Sequence, residues 1–297
     1  MQPVLVTGAS GNVGAHLVRL LLEAGDEVRA AATSPSGDDR ANPAGLTTVR
    51  FDFTDPATWD DAFTGVHRMF LLRPPHLGRP KRDLIPALRR AEALGVQHVV
   101  FLSLQGAERN RLVPHAAVEQ WLRASSLSWS FVRASFFMQN LTGTHGADLR
   151  ERSQIVVPAG RGATAFVDAA DVAAVAAACL LDPDAHAQRA WTPTGPAALT
   201  YDEVAAVLSE ELDRPVHYAR PGLLRYALHA RRALRMPLGM VAVTSAIYTS
   251  ARLGLAAGLT ADVQEVTGRP PATFLEFVLR ERDDGSLSPA ASATRGP

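Results

Sequence analysis

Val4-Leu5-Val6-Thr7-Gly8-Ala9-Ser10-Gly11-Asn12-Val13-Gly14 is the stretch that decides the fold class. A short apolar strand runs directly into glycines spaced by three, and Leu17, Leu20, Leu21 and Leu22 follow on one helical face. Strand, tight turn and helix in that order build a site for a pyrophosphate. The first glycine permits the turn, the second lets the backbone approach the phosphates, and the third lets helix and strand pack closely. The anion then sits on free N–H groups at the helix N-terminus. The ligand implied is a dinucleotide; a Gly-rich turn that binds nothing is the alternative reading.

Working outward, Gly25 stops the first helix and 27–32 reads as a second strand, left through Thr33-Ser34-Pro35. Further strands are predicted at 47–51, 67–72, 98–103 and 128–133, with helices over 59–63, over 82–94 closed by Gly95, and from Pro114 onward. This alternation predicts an α/β fold, a doubly wound parallel sheet with the ligand beyond the carboxyl ends of the strands. Residues 1–153 form the expected nucleotide-binding domain and 154–282 a smaller, mostly helical C-terminal substrate region. Within the latter, 164–181 packs back on the sheet. Short strands are expected at 155–158 and 165–168, and a helix over 201–212 with Thr200 and Glu203 as a capping box. Residues 220–260 read as helices roofing a substrate pocket. The tail 283–297, poor in large apolar residues, is expected to be disordered.

The chain has 297 residues, 47% of them hydrophobic, long enough to bury a substantial core. Thirty acidic and thirty basic residues cancel, so no global field favours nucleic acid or an anionic membrane. A basic stretch containing Arg225, Arg231, Arg232 and Arg235 reads either as a docking surface or as a solvated helix face. The single cysteine, Cys179, excludes an intramolecular disulfide and a Cys-rich metal site, and its Ala/Val-rich run reads as a buried helix. No metal is expected. The N-terminal apolar run lacks a basic flank, and no stretch has the roughly 20 apolar residues a membrane span needs. A cytoplasmic protein with a small-molecule substrate is the expectation; the oligomeric state is open.

These motifs resemble the atypical short-chain dehydrogenases/reductases of the NAD(P)-binding Rossmann superfamily, and within them the NmrA-like group. The resemblance covers most of the chain. It rests on Thr7 to Gly14, Asp52-Phe53, Leu102-Ser103-Leu104-Gln105-Gly106-Ala107 and Pro114-His115-Ala116-Ala117-Val118-Glu119. It continues through Val132 to Leu141 and Phe166 to Ala173, and closes on Thr267 to Phe274 as a turn and strand. The resemblance implies that Thr7, Gly8, Ser10, Gly11, Asn12, Val13 and Gly14 line the pyrophosphate. By the same likeness Asp52 and Phe53 contact the adenine, Leu72, Arg73 and Pro74 border the nicotinamide-side ribose, and Ser103 and Leu104 lie near the nicotinamide. A loop cap before Asp55-Pro56 is the other reading of Asp52. After the second strand, Thr33 and Ser34 stand where an acidic residue would bind a ribose 2′-hydroxyl, and Arg40 follows, which favours NADP with NAD possible.

Ordinary members of the superfamily carry Tyr-x-x-x-Lys, the lysine lowering the tyrosine pKa for proton exchange with substrate. This chain places His115 and Glu119 there, one helical turn apart. An imidazole can act as a general acid with a carboxylate orienting it, or the two can simply begin a helix. Phe136, Phe137 and Asn140 are the expected substrate contacts, mixing apolar surface with an amide that needs a partner if buried. Asp168 and Asp171 read as loop and helix supports. The activity implied is NAD(P)H-dependent reduction of a small carbonyl, quinone or conjugated acceptor. The alternatives are a non-redox NAD(P)-sensing regulator or an isomerase or cyclase on the same fold.

Overall fold

Val4, Leu5 and Val6 have no accessible surface, as expected of a strand covered on both faces. In the computed structural model, which describes residues 2–35 and 42–287, this segment is β1 (Val4–Thr7) at the middle of a seven-stranded sheet. β2 (Val28–Ala32) and β3 (Leu46–Arg50) lie on one side of it. β4 (Arg68–Leu72), β5 (His98–Leu104), β6 (Ser128–Ala134) and β7 (Arg189–Trp191) lie on the other. The order is β7-β6-β5-β4-β1-β2-β3 and every pairing is parallel, with Val4 facing Val28 on one side and Arg68 on the other. The order reverses at β1, so the crevice beyond the carboxyl ends of β1 and β4 is the topological switch point where such sheets bind ligands.

The chain divides into two compact units. The first comprises residues 1–134, 169–193 and 261–269; the second comprises 135–168, 194–260 and 270–297. The expected boundary after 153 therefore moves to Ala134, where the last long strand ends. Helix α1 (Asn12–Glu23) packs against α3 (Ala169–Leu181), whose alanines permit close approach. Cys179 sits wholly buried in α3, its thiol pushed up to about 12 by that burial. The second unit has its own core, including Phe166, Tyr201, Tyr226, Tyr248 and Phe277. Around that core lie α4 (Tyr201–Glu211), α5 (Leu223–Arg232), α6 (Leu238–Arg252) and α7 (Phe274–Asp283). Thr200 and Glu203 form the expected capping box.

Several expectations need correction. The helix expected over 82–94 is two pieces, Pro80–Asp83 and Ile85–Ala93, because Pro86 has no N–H to continue the ladder. The strand expected at 155–158 shrinks to Gln154–Ile155 ahead of Pro158. The closing turn and strand at Thr267 to Phe274 is instead a helix end at Gly268, in the left-handed region, followed by the start of α7. Thr273 and Glu276 form a second capping box there. Residues 220–260 do hold helices as expected, two of them, separated at 233–237. The expected tail begins too early: α7 reaches Asp283 and Leu287 is buried. Residues 288–297 lie outside the described residues. No helix of the described residues is long and apolar enough to cross a membrane.

A Cβ on Gly14 would lie 2.0 Å from the Gly8 carbonyl oxygen and 2.8 Å from the Ala9 Cα, backbone atoms with nowhere to go. Gly14→Ala should destabilise the protein by about 1–3 kcal/mol or more, on the order of 5 °C in thermal midpoint, and weaken cofactor binding. Differential scanning calorimetry and NADPH titration read the two effects; an unchanged midpoint would contradict the packing described.

Candidate active site

At the carboxyl end of β1 the Thr7 hydroxyl is already committed. It donates to the Phe70 carbonyl (3.0 Å) and accepts from the Leu72 N–H (2.8 Å), clasping β1 to β4. Thr7 is thus buried beneath the turn and not a side-chain ligand for phosphate. Gly8 takes φ +67°, and the Gly11 N–H closes the turn onto the Gly8 carbonyl at 3.0 Å. Ser10, Gly11 and Asn12 are exposed at the start of α1, and no side chain caps its first N–H groups. Val13 and Gly14 are buried against the sheet. Uncapped amides at the head of a twelve-residue helix, reached over a glycine turn without side chains, fit a pyrophosphate.

The other expected cofactor residues divide into surface and support. Thr33 and Ser34 are exposed after β2, while Arg40 lies outside the described residues. Asp52 Oδ1 accepts from the Thr54 N–H and hydroxyl, both at 2.7 Å, and these hydrogen bonds hold the carboxyl below its usual range. Phe53 is buried and packs edge-on against Phe51, so its ring belongs to the core. Leu72 lies against Gly8. Arg73 folds onto its own loop, donating to the carbonyls of Pro74, Pro75 and Leu77. Leu104 is half-buried.

His115 and Glu119 both lie on α2 (Pro114–Ala124), one turn apart, but they do different things. Ser103 donates to Glu119 Oε1 at 2.7 Å; Arg133 Nε reaches the same oxygen at 3.0 Å and its Nη2 reaches Oε2 at 2.6 Å. Glu119 is buried and its oxygens serve Ser103 and Arg133, which corrects the expectation that it orients the imidazole. The His115 ring stacks on Phe101 with centroids 5.9 Å apart, and its Nδ1 is buried without a hydrogen-bond partner among the described residues, as is Arg73 Nε. Burial first, then the nearby Arg73 charge, pulls His115 down to about 3, so the imidazole is neutral near pH 7.

In the second unit, Phe136 packs against Phe166 and Tyr248, whereas Phe137 and Asn140 are half-buried. Asp168 accepts from Gln139 Nε2 (2.9 Å) and Arg280 Nη2 (2.5 Å), a support role. In the first unit Asp171 pairs with Arg269 at 3.1 Å. Sequence reasoning missed Arg133, though a charge ending the apolar β6 was a usable signal. It also missed the buried His145–Tyr248 hydrogen bond, which joins residues 103 apart and carries no local pattern. Among the described residues no group of three or more His, Cys, Asp or Glu could hold a metal ion.

Two outcomes follow from these geometries. Glu119→Ala takes the fork partner from the largely buried Arg133 guanidinium, which keeps Glu108 at 3.3 Å, an expected loss of about 1.5–3 kcal/mol. Adding Arg133→Met to Glu119→Ala should recover much of it, as urea denaturation would show. His115 folded has a lower pKa than the ordinary 6.5, so the unfolded chain binds the proton more tightly. His98 and His145, pulled to about 4 by burial, act with the same sign. Stability is therefore full above about pH 6.5 and falls as pH drops toward 3; His115→Gln should flatten that acid limb.

A model of the NmrA-like family matches residues 1–225. Over 283 residues the chain is 34% identical to an NAD(P)H azoreductase of Xenophilus azovorans, spanning 92% of this chain and 96% of that protein. It is 33% identical over 282 residues to a (4-alkanoyl-5-oxo-2,5-dihydrofuran-3-yl)methyl phosphate reductase of Streptomyces griseus, covering 92% and 96%. In three dimensions it is similar to the NADPH-dependent quinone oxidoreductase of Escherichia coli crystallised with NADPH. The TM-score is 0.80 at 23% identity, with 93% of this chain and 99% of the other covered, a likeness of fold. On the family match and the two sequence relatives, the chain belongs to the NmrA-like family.

Proposed function

We propose that this NmrA-like protein is an NADPH-dependent oxidoreductase that reduces extended conjugated acceptors, such as a quinone, an azo compound or an enone. The observation that carries the reading is a neutral His115 with no acidic partner, in the same unit as an uncapped helix over a glycine turn. NADPH, when bound, supplies the hydride. Ser10, Gly11, Asn12 and the head of α1 would hold its pyrophosphate, and the Asp52 carboxylate its adenine amine. Thr33 and Ser34 leave room for a 2′-phosphate that an acidic residue would repel.

An isolated carbonyl that accepts hydride becomes a localised alkoxide and needs a proton at once. A conjugated acceptor spreads the electron pair and can take its proton later from water. The chain's own groups suit the second case. Glu119 is occupied, and His115 can offer a hydrogen bond but not an imidazolium proton. Phe137 and Asn140 are the proposed substrate contacts. The names of the azoreductase and the dihydrofuran reductase above support a conjugated acceptor. A cytoplasmic site of action belongs to the same reading, with the lone thiol kept reduced.

NADPH consumption should be measured against quinones, azo dyes, enones and simple aliphatic aldehydes. Turnover with the conjugated acceptors at least about a hundredfold above the aldehydes is expected. Tight NADPH binding without oxidation would favour the sensing role, and equal rates with aldehydes would sink the proposal. NADPH should bind more tightly than NADH. The pH profile should be flat between about 6 and 8, because His115 does not titrate there, and His115→Gln should lower kcat/KM by about tenfold.

A further inference from the structure

From Arg214 to Ala261 the chain runs 48 residues without an aspartate or glutamate and carries seven arginines, in a protein whose charges cancel overall. This segment contains α5 and α6, which pack on one another. α5 buries Tyr226 and Ala230. Its outward side carries Leu224, 89% exposed, and Leu228, 50% exposed, four residues apart on one stripe. Exposed Arg225, Arg231 and Arg232 flank them, and Arg235 follows. Arg225, Arg232, Arg235 and Arg252 meet no carboxylate among the described residues, and Arg231 donates only to the Met236 carbonyl. Leu238, Leu253 and Leu255 are also well exposed.

We propose that this face of the second unit docks on an anionic lipid bilayer. Leucines interleaved with unpaired arginines need a partner with negative charge over an apolar layer, and phosphate headgroups above acyl chains supply both. Arginine stems can lie along the apolar boundary while the guanidiniums reach the phosphates. A second copy of the chain docking by the same face would bring like charges together across a two-fold axis. A nucleic-acid backbone offers the phosphates but no seat for Leu224 and Leu228. The proposal needs no turnover and stands or falls separately from the reductase activity.

The test is co-sedimentation of the full chain with vesicles of equimolar phosphatidylcholine and phosphatidylglycerol, beside vesicles of phosphatidylcholine alone. Retention on the anionic vesicles, lost in high salt and absent on the neutral ones, is the expected result. Arg225→Glu with Arg232→Glu should cut partitioning at least about twentyfold, while Arg225→Lys with Arg232→Lys keeps most of it. Leu224→Ser with Leu228→Ser should weaken binding without changing its salt dependence. All four positions are exposed, and unchanged circular dichroism and NADPH affinity would confirm intact folding. No retention on anionic vesicles, or equal retention on both kinds, overturns the proposal. So does a sedimentation-velocity shift in these variants without lipid, which would identify the face as a contact between copies.

Discussion

The approach of α1 to the turn after β1 is the constraint on which the first unit depends. Gly14 lies so near the Gly8 carbonyl that no side chain fits between them, and this closeness aims the helix head at the switch point of the sheet. Thr7 clasps β4 from the same turn, so the strand that supplies the glycines and the neighbour across the crevice move as one piece. Burying the hydroxyl in two hydrogen bonds costs little, because both partners are backbone groups that need pairing anyway. What stays exposed is the part that can meet an anion: Ser10, Gly11 and Asn12 with the uncapped amides.

A second staple sits at the ends of β5 and β6. Ser103 and Arg133 are partners in the register of those strands, and Glu119 from α2 bonds to both. A buried ion pair is expensive to desolvate, so stability alone is a weak reason for it; fixing the helix over two strand ends is a better one. The same fork that fixes α2 leaves His115 without an acid partner. Phe101 beneath the imidazole and Arg73 nearby then keep it neutral. Structural support and proton chemistry thus compete for one carboxylate, and support holds it.

Much of this architecture was legible in the residues. The glycine spacing, the alternation of apolar runs with helices and the Thr200–Glu203 box are local signals, and local signals survive folding. β7 was not legible, since Arg189-Ala190-Trp191 is too short to show a period and is recruited by pairing with β6. The same limit applies to the site. His115 and Glu119 at i, i+4 do share a helix, but the partner that takes Glu119 comes from a strand end fourteen residues on. Phe53 read as a flat neighbour for a base, yet two nearby phenylalanines, Phe51 and Phe63, draw that cluster into the core.

Charge shows the difference between composition and placement most clearly. Equal totals remove a long-range field, but counterions already screen such a field beyond roughly 8–10 Å. A surface answers to charges within that distance, so the relevant quantity is the local sum. Along 214–261 the chain itself contributes only positive charge, met by Asp202 at Arg220 and the buried Asp148 at His229, and the helices expose leucines among the other arginines instead of covering them. Solvation alone would explain the arginines, since charged side chains on outer helix faces are ordinary. It does not explain Leu224 and Leu228 standing in water on the same face, and a partner that takes both charge and apolar surface does.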